Sequence, residues 1–396
     1  MKIVHLIGFF QPEFGYQEYY LAKKQVEMGN EVYIITSDLI YPLQNIKKLL
    51  ENIKSPYRTR KRPVGQEILD GIIVIRLPHI FTYRDAIVIK NITEVLAKIR
   101  PDIVHAHELR QITPAFSILS KFLGYKLVID QHDFELSKTI LGKIDYFLIR
   151  WIFIQIGLLK ADAIIAVFKA AEIFLRKNHY LNHKPIYIVP NGSETDIYKF
   201  NPQKRVEIRK KLCINDDEIL LIFAGQISQE KALHNQIYAL KTLIRENYKC
   251  KLLIIGSGDT TYIEKLKAFG NKLNMQESLF FLDFMPQKIL SDYFSAADIG
   301  VFFSRPTIIM QEMIACKLAL LIPENAATAG LIAFKNGRSF KRGDLKDFIK
   351  QLKNIISNNK ELEKMRENSL KAVKNYFSWT SIAKRVQKIY EHVLKY

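Results

Sequence analysis

The chain has few of the features that would build a disulfide scaffold, a dinucleotide fingerprint or a membrane span. In 396 residues there are only three cysteines. Cys213, Cys250 and Cys316 are odd in number and far apart, so no pair has metal-ligand spacing. They read as small core residues of a reducing compartment. Glycine is missing where a dinucleotide-binding enzyme would need it. Gly256-Ser257-Gly258 lacks a third glycine at the right spacing and a fitting acid downstream, which sets an NAD enzyme aside. Long apolar runs are also missing. The most apolar stretch, Ile144 to Leu159, is shorter than a bilayer span and is interrupted by Arg150 and Gln155, so a buried or interfacial helix is expected. The opening Met1–Ile7 reads as a buried strand and not as a secretion signal, and a cytoplasmic protein is expected.

Acid is in short supply too. Forty acidic residues face 59 basic ones, a formal charge of +19. Such an excess asks for an anionic partner: nucleic acid, an acidic membrane surface or a phosphate-bearing substrate. The cations concentrate at Lys47, Lys48, Lys54, Arg58, Arg60, Lys61 and Arg62, opposed only by Glu51. Two readings stand, a solvated loop or a patch for the inner face of an anionic membrane. Nucleic acid is not expected, because no recognised module surrounds the patch.

What is present is a regular alternation. A chain of this length, 48% apolar and 25% charged, is globular and long enough for about two cores. Short apolar runs predict buried parallel strands at residues 3–8, 31–36, 72–77, 103–107, 126–130, 163–167 and 185–189. Helical patterns lie between them, among them residues 17–28 and 113–123. Turn chemistry at Pro190-Asn191-Gly192 precedes a second series of strands at 219–224, 251–255, 279–282, 299–302 and 319–321. The expectation is an α/β protein of two Rossmann-like lobes with parallel sheets and an interlobe cleft. The expected boundaries are 1–190, 191–376 and a closing helix at 377–396 that returns to the first lobe.

The chemistry concentrates in Ser304–Cys316. Pro306 and Thr307 suit the start of a helix, and free N–H groups at such a start seat phosphate. Glu312 follows one turn in, within an apolar run. This segment resembles the nucleotide-sugar signature of family 4 (group 1) retaining glycosyltransferases of GT-B architecture. In that family two Glu residues flank seven others, and the second leads into an Ala-Met-Ala-Cys-Gly-like run. Here the second Glu is Glu312, followed by Met313-Ile314-Ala315-Cys316-Lys317. The first Glu is replaced by Ser304 and the closing glycine by Lys317.

The likeness spans nearly the whole chain. Gly15 remains from a glycine-rich loop after the first strand, and Pro101–His107 matches a common strand pattern. His132, in Asp130-Gln131-His132-Asp133, stands where the family places a His near the donor sugar. Gly225, Gln226 and Lys231 occupy a Gly-Arg…Lys motif with Gln in place of Arg, and Gly256 opens a glycine turn. Met285 lies in the loop that meets the base, and Phe377-Ser378-Trp379 resembles the start of the closing helix. The resemblance implies transfer of a sugar from a nucleotide-diphosphate donor, with retention, to a glycan or lipid-diphosphate-linked acceptor. No cofactor and no protein-bound metal are implied. His132 and Lys231 become catalytic candidates. Lys231 and the backbone at Thr307, Ile308 and Ile309 would hold the diphosphate, and Glu312 the ribose.

Other readings stay open. Glu312 also suits a structural ion pair, Lys231 a surface lysine and His132 a hydrogen-bonded core histidine. A metal on His105, His107, Glu108 and His132 is the lesser reading. Arg305 is either a surface arginine or the cation that replaces the one lost at Gln226. The departures at Ser304, Gln226 and Lys317 also fit a degenerate binding or scaffold subunit.

Overall fold

The computed structural model describes residues 1–42, 50–51, 55–57, 59–132, 136, 139–181, 184–303, 307–325 and 327–395. The chain divides into two compact units, Met1–Asn191 with Trp379–Tyr396, and Gly192–Ser378.

Ten strands belong to the first unit: β1 (Lys2–Leu6), β2 (Glu31–Ser37), β3 (Gly65–Leu69), β4 (Ile72–Leu77), β5 (His79–Tyr83), β6 (Ala86–Ile89), β7 (Ile103–His107), β8 (Lys126–Gln131), β9 (Ala163–Ala166) and β10 (Ile186–Ile188). Eight of them form one sheet in the order β10-β9-β8-β7-β1-β2-β4-β3. All its pairings are parallel except β3 with β4. The inner strands are unbroken apolar runs because helices cover both faces. Val4, Leu6, Val104, Leu127 and Ile164 pack on one side with Leu96, Ile154, Leu158 and Phe174. Ile3, Ile103, Val128 and Ile165 pack on the other with Tyr20, Leu21, Ile382 and Tyr390. Those last two belong to the helix Trp379–Lys395, so the end of the chain completes the first unit's core.

Two hairpins were not expected. β3 and β4 are joined at Asp70-Gly71, whose φ angles of 49° and 81° are those of a tight hairpin turn. β5 and β6 form a separate two-stranded sheet. The helix expected over residues 113–123 is three short turns, Thr113–Ala115, Phe116–Leu119 and Lys121–Leu123. Ile112 enters this stretch with φ 68°. The carbonyls of Pro114 and Ser117 are taken by the Ser117 and Tyr125 hydroxyls, so side chains compete with the helical ladder.

The second unit holds β11 (Ile219–Ala224), β12 (Cys250–Ile255), β13 (Leu279–Leu282), β14 (Ile299–Val301), β15 (Ala319–Pro323) and β16 (Gly337–Phe340). They form one all-parallel sheet in the order β13-β12-β11-β14-β15-β16. Asp298, just before β14, is buried and accepts from Arg205 at 2.6 Å, Arg209 at 3.2 Å and the Leu220 N–H at 2.8 Å. It pins the helix Pro202–Lys211 to the sheet.

Gly256, after β12, has φ 151°, and a Cβ there would lie 1.9 Å from the Gly225 carbonyl oxygen. Only glycine lets these two backbones meet. Gly256→Ala is therefore expected to destabilise the protein by at least the ~1–3 kcal/mol of a strained backbone conformation. Urea unfolding measures it, and an unchanged midpoint would refute the argument.

Candidate active site

Parallel pairing places the carboxyl ends of β11 to β14 along one edge of the second sheet, and the loops that leave this edge carry most of the expected donor residues. The Gly225 N–H donates to the Ile255 carbonyl, that of Gly256 to Leu282, and that of Ile227 to Ser257. These bonds carry the ladder past the strand ends and hold the glycine loops side by side. Gln226 is exposed, and Lys231 closes a short turn, half-buried. Met285 leans half-buried on the second unit's core.

The signature helix is shorter than expected. It runs Ile309–Ala315, and its N-cap is Ile308, with no side-chain cap. Thr307 is thus not the cap. Its backbone carbonyl accepts from the Met310 N–H at 3.1 Å. Its Oγ1 is buried, as is Gln311 Oε1, and neither has a partner among the described residues. Ser304, Arg305 and Pro306 lie outside the described residues, and with them the proposed role of Arg305.

Glu312 is buried in the apolar face of this helix, at 7% exposure. No cation accompanies it among the described residues. Burial pushes its pKa up to about 8, and a hydrogen bond from the Tyr198 hydroxyl opposes the shift. The structural ion pair is thereby ruled out among the described residues: the partner is a phenol. Lys317 occupies the position of the family's glycine and adopts the left-handed backbone a glycine would supply, with φ 69°. Its ammonium is held by Glu363 at 2.7 Å and Glu367 at 2.6 Å, and lies over the Phe200 ring. This departure is accommodated by packing, away from any ligand chemistry.

In the first unit, Gly15 ends a short turn with φ 67°, and its N–H donates to Pro12. The next helix begins at Gln17, whose side-chain amide lies 2.6 Å from His132 Nε2. The loop after β1 and the end of β8 thus come together. His132 is half-buried and stands over a buried network. Its Nε2 is 3.6 Å from Asp130 Oδ2, and the same oxygen is 2.7 Å from His107 Nδ1. His107 Nε2 meets His5 Nδ1 at 2.8 Å, and His5 Nε2 meets Gln25 at 2.6 Å. His105 Nδ1 meets the Tyr390 hydroxyl at 2.7 Å.

Two of these imidazoles share the Asp130 charge. Burial opposes a charge on His132, but the hydrogen bond and charge of Asp130, with Glu108 and Glu18, push its pKa up to about 9. Burial likewise opposes charging His107, and Asp130 again prevails and raises it. Burial would raise Asp130 itself, yet His107 and His132 hold its carboxyl well below the usual range. His5, with no carboxylate against it, is driven down to about 3 by burial and by the charge of His107.

The nitrogens of His5, His105 and His107 lie within 4.8 Å of one another. Imidazole lone pairs lie in the ring plane, however, and His105 and His107 are stacked at 4.3 Å with 28° between their planes. His5 and His107 already bond to each other. The rings do not converge on one ion, and the cluster is a hydrogen-bonded network.

Of the basic stretch, Arg60, Lys61 and Arg62 are described. Lys47, Lys48, Lys54 and Arg58 lie outside the described residues. Arg60 binds the Ile40 carbonyl, and Lys61 is exposed. Arg62 is 2% exposed, bound to Glu13 at 2.9 Å and set over the Tyr57 ring. It is an internal strut, because a guanidinium beside a carboxylate and a phenol ring is better paired inside than solvated outside.

Sequence reasoning missed Gln17, His5 and Tyr198. The register partners His5 and His105 were legible once β1 and β7 were placed side by side. Nothing in the local sequence pointed to Tyr198 or Gln17.

Two family models account for most of the chain. Residues 18–197 match Glycosyltransferase Family 4, and residues 204–372 match Glycosyl transferases group 1. The chain is thus similar to group 1 and family 4 glycosyltransferases, one model matching each half. It is 24% identical over 213 residues to an uncharacterized glycosyltransferase of Methanocaldococcus jannaschii, covering 52% of this chain and 53% of that protein. It is 23% identical to the capsular polysaccharide biosynthesis glycosyltransferase CapM of Staphylococcus aureus, covering 61% of this chain and 64% of that one. These matches span about half to two thirds of the relatives' length. Among solved structures, Anabaena HepE in complex with UDP superimposes with a TM-score of 0.72 at 15% identity, over 99% of this chain and 100% of that one. That likeness is one of fold, the GT-B class.

The Asp130 network is testable in the free protein. His132 should titrate near 9 by NMR, and Asp130→Asn should return it toward 6.5, its ordinary value. A His132 that titrates alike in both proteins would show that Asp130 does not set its charge.

Proposed function

We propose that this chain is a group 1 glycosyltransferase that moves a sugar from a nucleotide-diphosphate donor to a hydroxyl of a glycan or lipid-diphosphate-linked acceptor, with retention of configuration. The observation that carries the reading is Glu312. It is a buried carboxyl without a cation, at the edge of a parallel sheet where ligands of α/β folds bind. A strongly shifted acid in such a place is a functional candidate. Ribose hydroxyls, which both donate and accept, match a carboxyl that shares only a phenol. The orphaned Thr307 hydroxyl one turn away adds a second polar group in want of a partner, and an unmade buried hydrogen bond is costly. The solved neighbour HepE is a complex with UDP, which supports a nucleotide donor. CapM's role in capsular polysaccharide biosynthesis supports a glycan acceptor.

On this reading Lys231 and the backbone at Thr307–Ile309 hold the diphosphate, and Met285 lies near the base. The diphosphate leaves as the acceptor hydroxyl attacks the same face, through an oxocarbenium-like transition state. A cation at the leaving group stabilises the charge as it develops. His132, held as an imidazolium by Asp130, presents a donor and a positive charge to the donor sugar.

A thermal-shift screen across UDP-, GDP-, ADP- and dTDP-sugars tests the donor class. Stabilisation by one of them, followed by transfer, is the expected result, and no shift with any would defeat the reading. For the preferred nucleotide, Glu312→Ala is expected to weaken binding near pH 7 by ~0.5–1.5 kcal/mol, the range for a hydrogen bond between uncharged groups. Calorimetric titration of the folded variant decides it.

The free protein gives a second readout. Glu312 is raised from 4.5 to about 8, so the folded state keeps a proton that the unfolded state releases. The resulting destabilisation is absent below the unfolded value. It grows by up to ~1.4 kcal/mol per pH unit as pH rises, and levels off above the folded value. Glu312→Gln should therefore lose less stability than the parent between about pH 5 and about pH 8. Parallel pH profiles in urea would show that Glu312 is not held protonated.

A further inference from the structure

The helical segment from Ile140 to Lys160 is turned inside out. It runs through Ile140–Asp145, a looser turn at Tyr146–Arg150 and Trp151–Lys160. Its polar residues face inward. Asp145, Arg150 and Gln155 are buried. Arg150 donates to Asp145 at 2.8 Å and pairs with Asp85 at 2.8 Å, while Gln155 is bound to the Tyr180 backbone at 2.8 and 2.9 Å. Ile154 and Leu158 also face the core, but a second set of apolar residues faces outward. Ile140 is 76% exposed, Leu141 69%, Phe147 48%, Ile152 51%, Phe153 42% and Ile156 42%. The Arg150 and Gln155 that argued against a membrane span are thus the inward face of a helix whose outer face is greasy.

Neighbouring elements extend the surface. Arg84, in the turn between β5 and β6, lies 3.6 Å from Asp145 and brings the exposed Phe81 of that hairpin alongside. Lys121 donates to the Lys160 carbonyl at 2.8 Å and brings Phe122, 76% exposed, to the other end. An exposed apolar surface of this extent marks an interaction site. Within the segment the exposed charges have one sign. Lys143 and Lys160 are exposed, and Asp145, the only acid in the segment, is buried. No described helix is long and apolar enough to cross a membrane. A helix with a continuous apolar face and flanking lysines instead lies in the plane of an anionic bilayer, its face sunk roughly 5–10 Å into the headgroup boundary.

We propose that the outer face of residues 140–160 seats the first unit on a bilayer containing anionic lipid. This rests on and deepens the reading of a membrane-borne acceptor by naming a docking surface distinct from the basic stretch at residues 47–62. It does not depend on which nucleotide the second unit binds.

Flotation with vesicles tests it, using phosphatidylcholine alone or mixed with phosphatidylglycerol. The parent should float with the mixed vesicles and much less with the neutral ones. The triple variant Phe147→Ser, Phe153→Ser, Ile156→Ser should bind the mixed vesicles at least ~tenfold more weakly, since each loses apolar burial. Its nucleotide-induced thermal shift should be unchanged, which separates a docking defect from misfolding and from failure of the donor reading. The double variant Lys143→Glu, Lys160→Glu, which keeps the apolar face, should lose only the preference for anionic lipid. Parent binding to neither vesicle, equal binding to both, or a triple variant that floats like the parent would each overturn the proposal. So would a parent that sediments as a dimer without lipid while the triple variant is a monomer, because the occupant of the face would then be a second copy of the chain.

Discussion

Parallel strand pairing is the constraint on which the rest of this molecule depends. Each parallel neighbour requires a crossover, so every strand of the second sheet ends at the same edge. Gly225, Gly256, Met285 and the signature helix are separated by up to about ninety positions in sequence, and strand direction alone sets them in a row. The same rule sets the ends of β1, β7 and β8 together in the first unit. There the loop with Gly15 reaches His132 through Gln17. Close approach then sets the local chemistry. Without a glycine at position 256 the loops after β11 and β12 could not share hydrogen bonds.

Three buried carboxylates show how environment assigns different work to the same group. Asp298 sits between two arginines and the Leu220 N–H and acts as a clamp. Asp130 faces imidazoles, raises the pKa of two of them and is itself held well below the usual carboxylate range. Glu312 has only a phenol, so burial prevails and its proton is retained toward about 8. The first two are satisfied by the protein. The third is left with hydrogen-bonding capacity that a polar ligand would complete, which is why it carries the functional reading.

The strands were legible because a strand buried on both faces must be an apolar run, and β2, β4, β7 and β8 fall within a residue or so of their expected places. Elements decided by single residues were harder. The β3–β4 turn has the Asp70-Gly71 signature and was open to recognition. The breakup of residues 113–123 follows from hydroxyls that capture backbone carbonyls, a choice invisible to hydrophobic period. At the candidate site, residue type and spacing pointed to Glu312 and His132, but their hydrogen-bond partners Tyr198 and Gln17 each lie more than a hundred positions away. Arg62 shows the opposite failure. In sequence it belongs to a basic run, and only the fold reveals that it is folded inward against Glu13. Lys317 looked like decay of a motif, yet its backbone still takes the left-handed turn that the family's glycine provides.

The placement of residues 379–395 has a consequence for how the molecule is made. Tyr390 bonds to Gln25 across a separation of 365 residues, and its helix fills the face of the first sheet opposite Leu158. During synthesis the first unit therefore emerges first but cannot close. Its sheet keeps an open apolar face while the whole second unit, residues 192–378, is translated and free to fold. Such transiently uncovered surface is where aggregation begins. The order of emergence is thus the reverse of the order of completion, and the unit that starts the chain is finished only by its last helix.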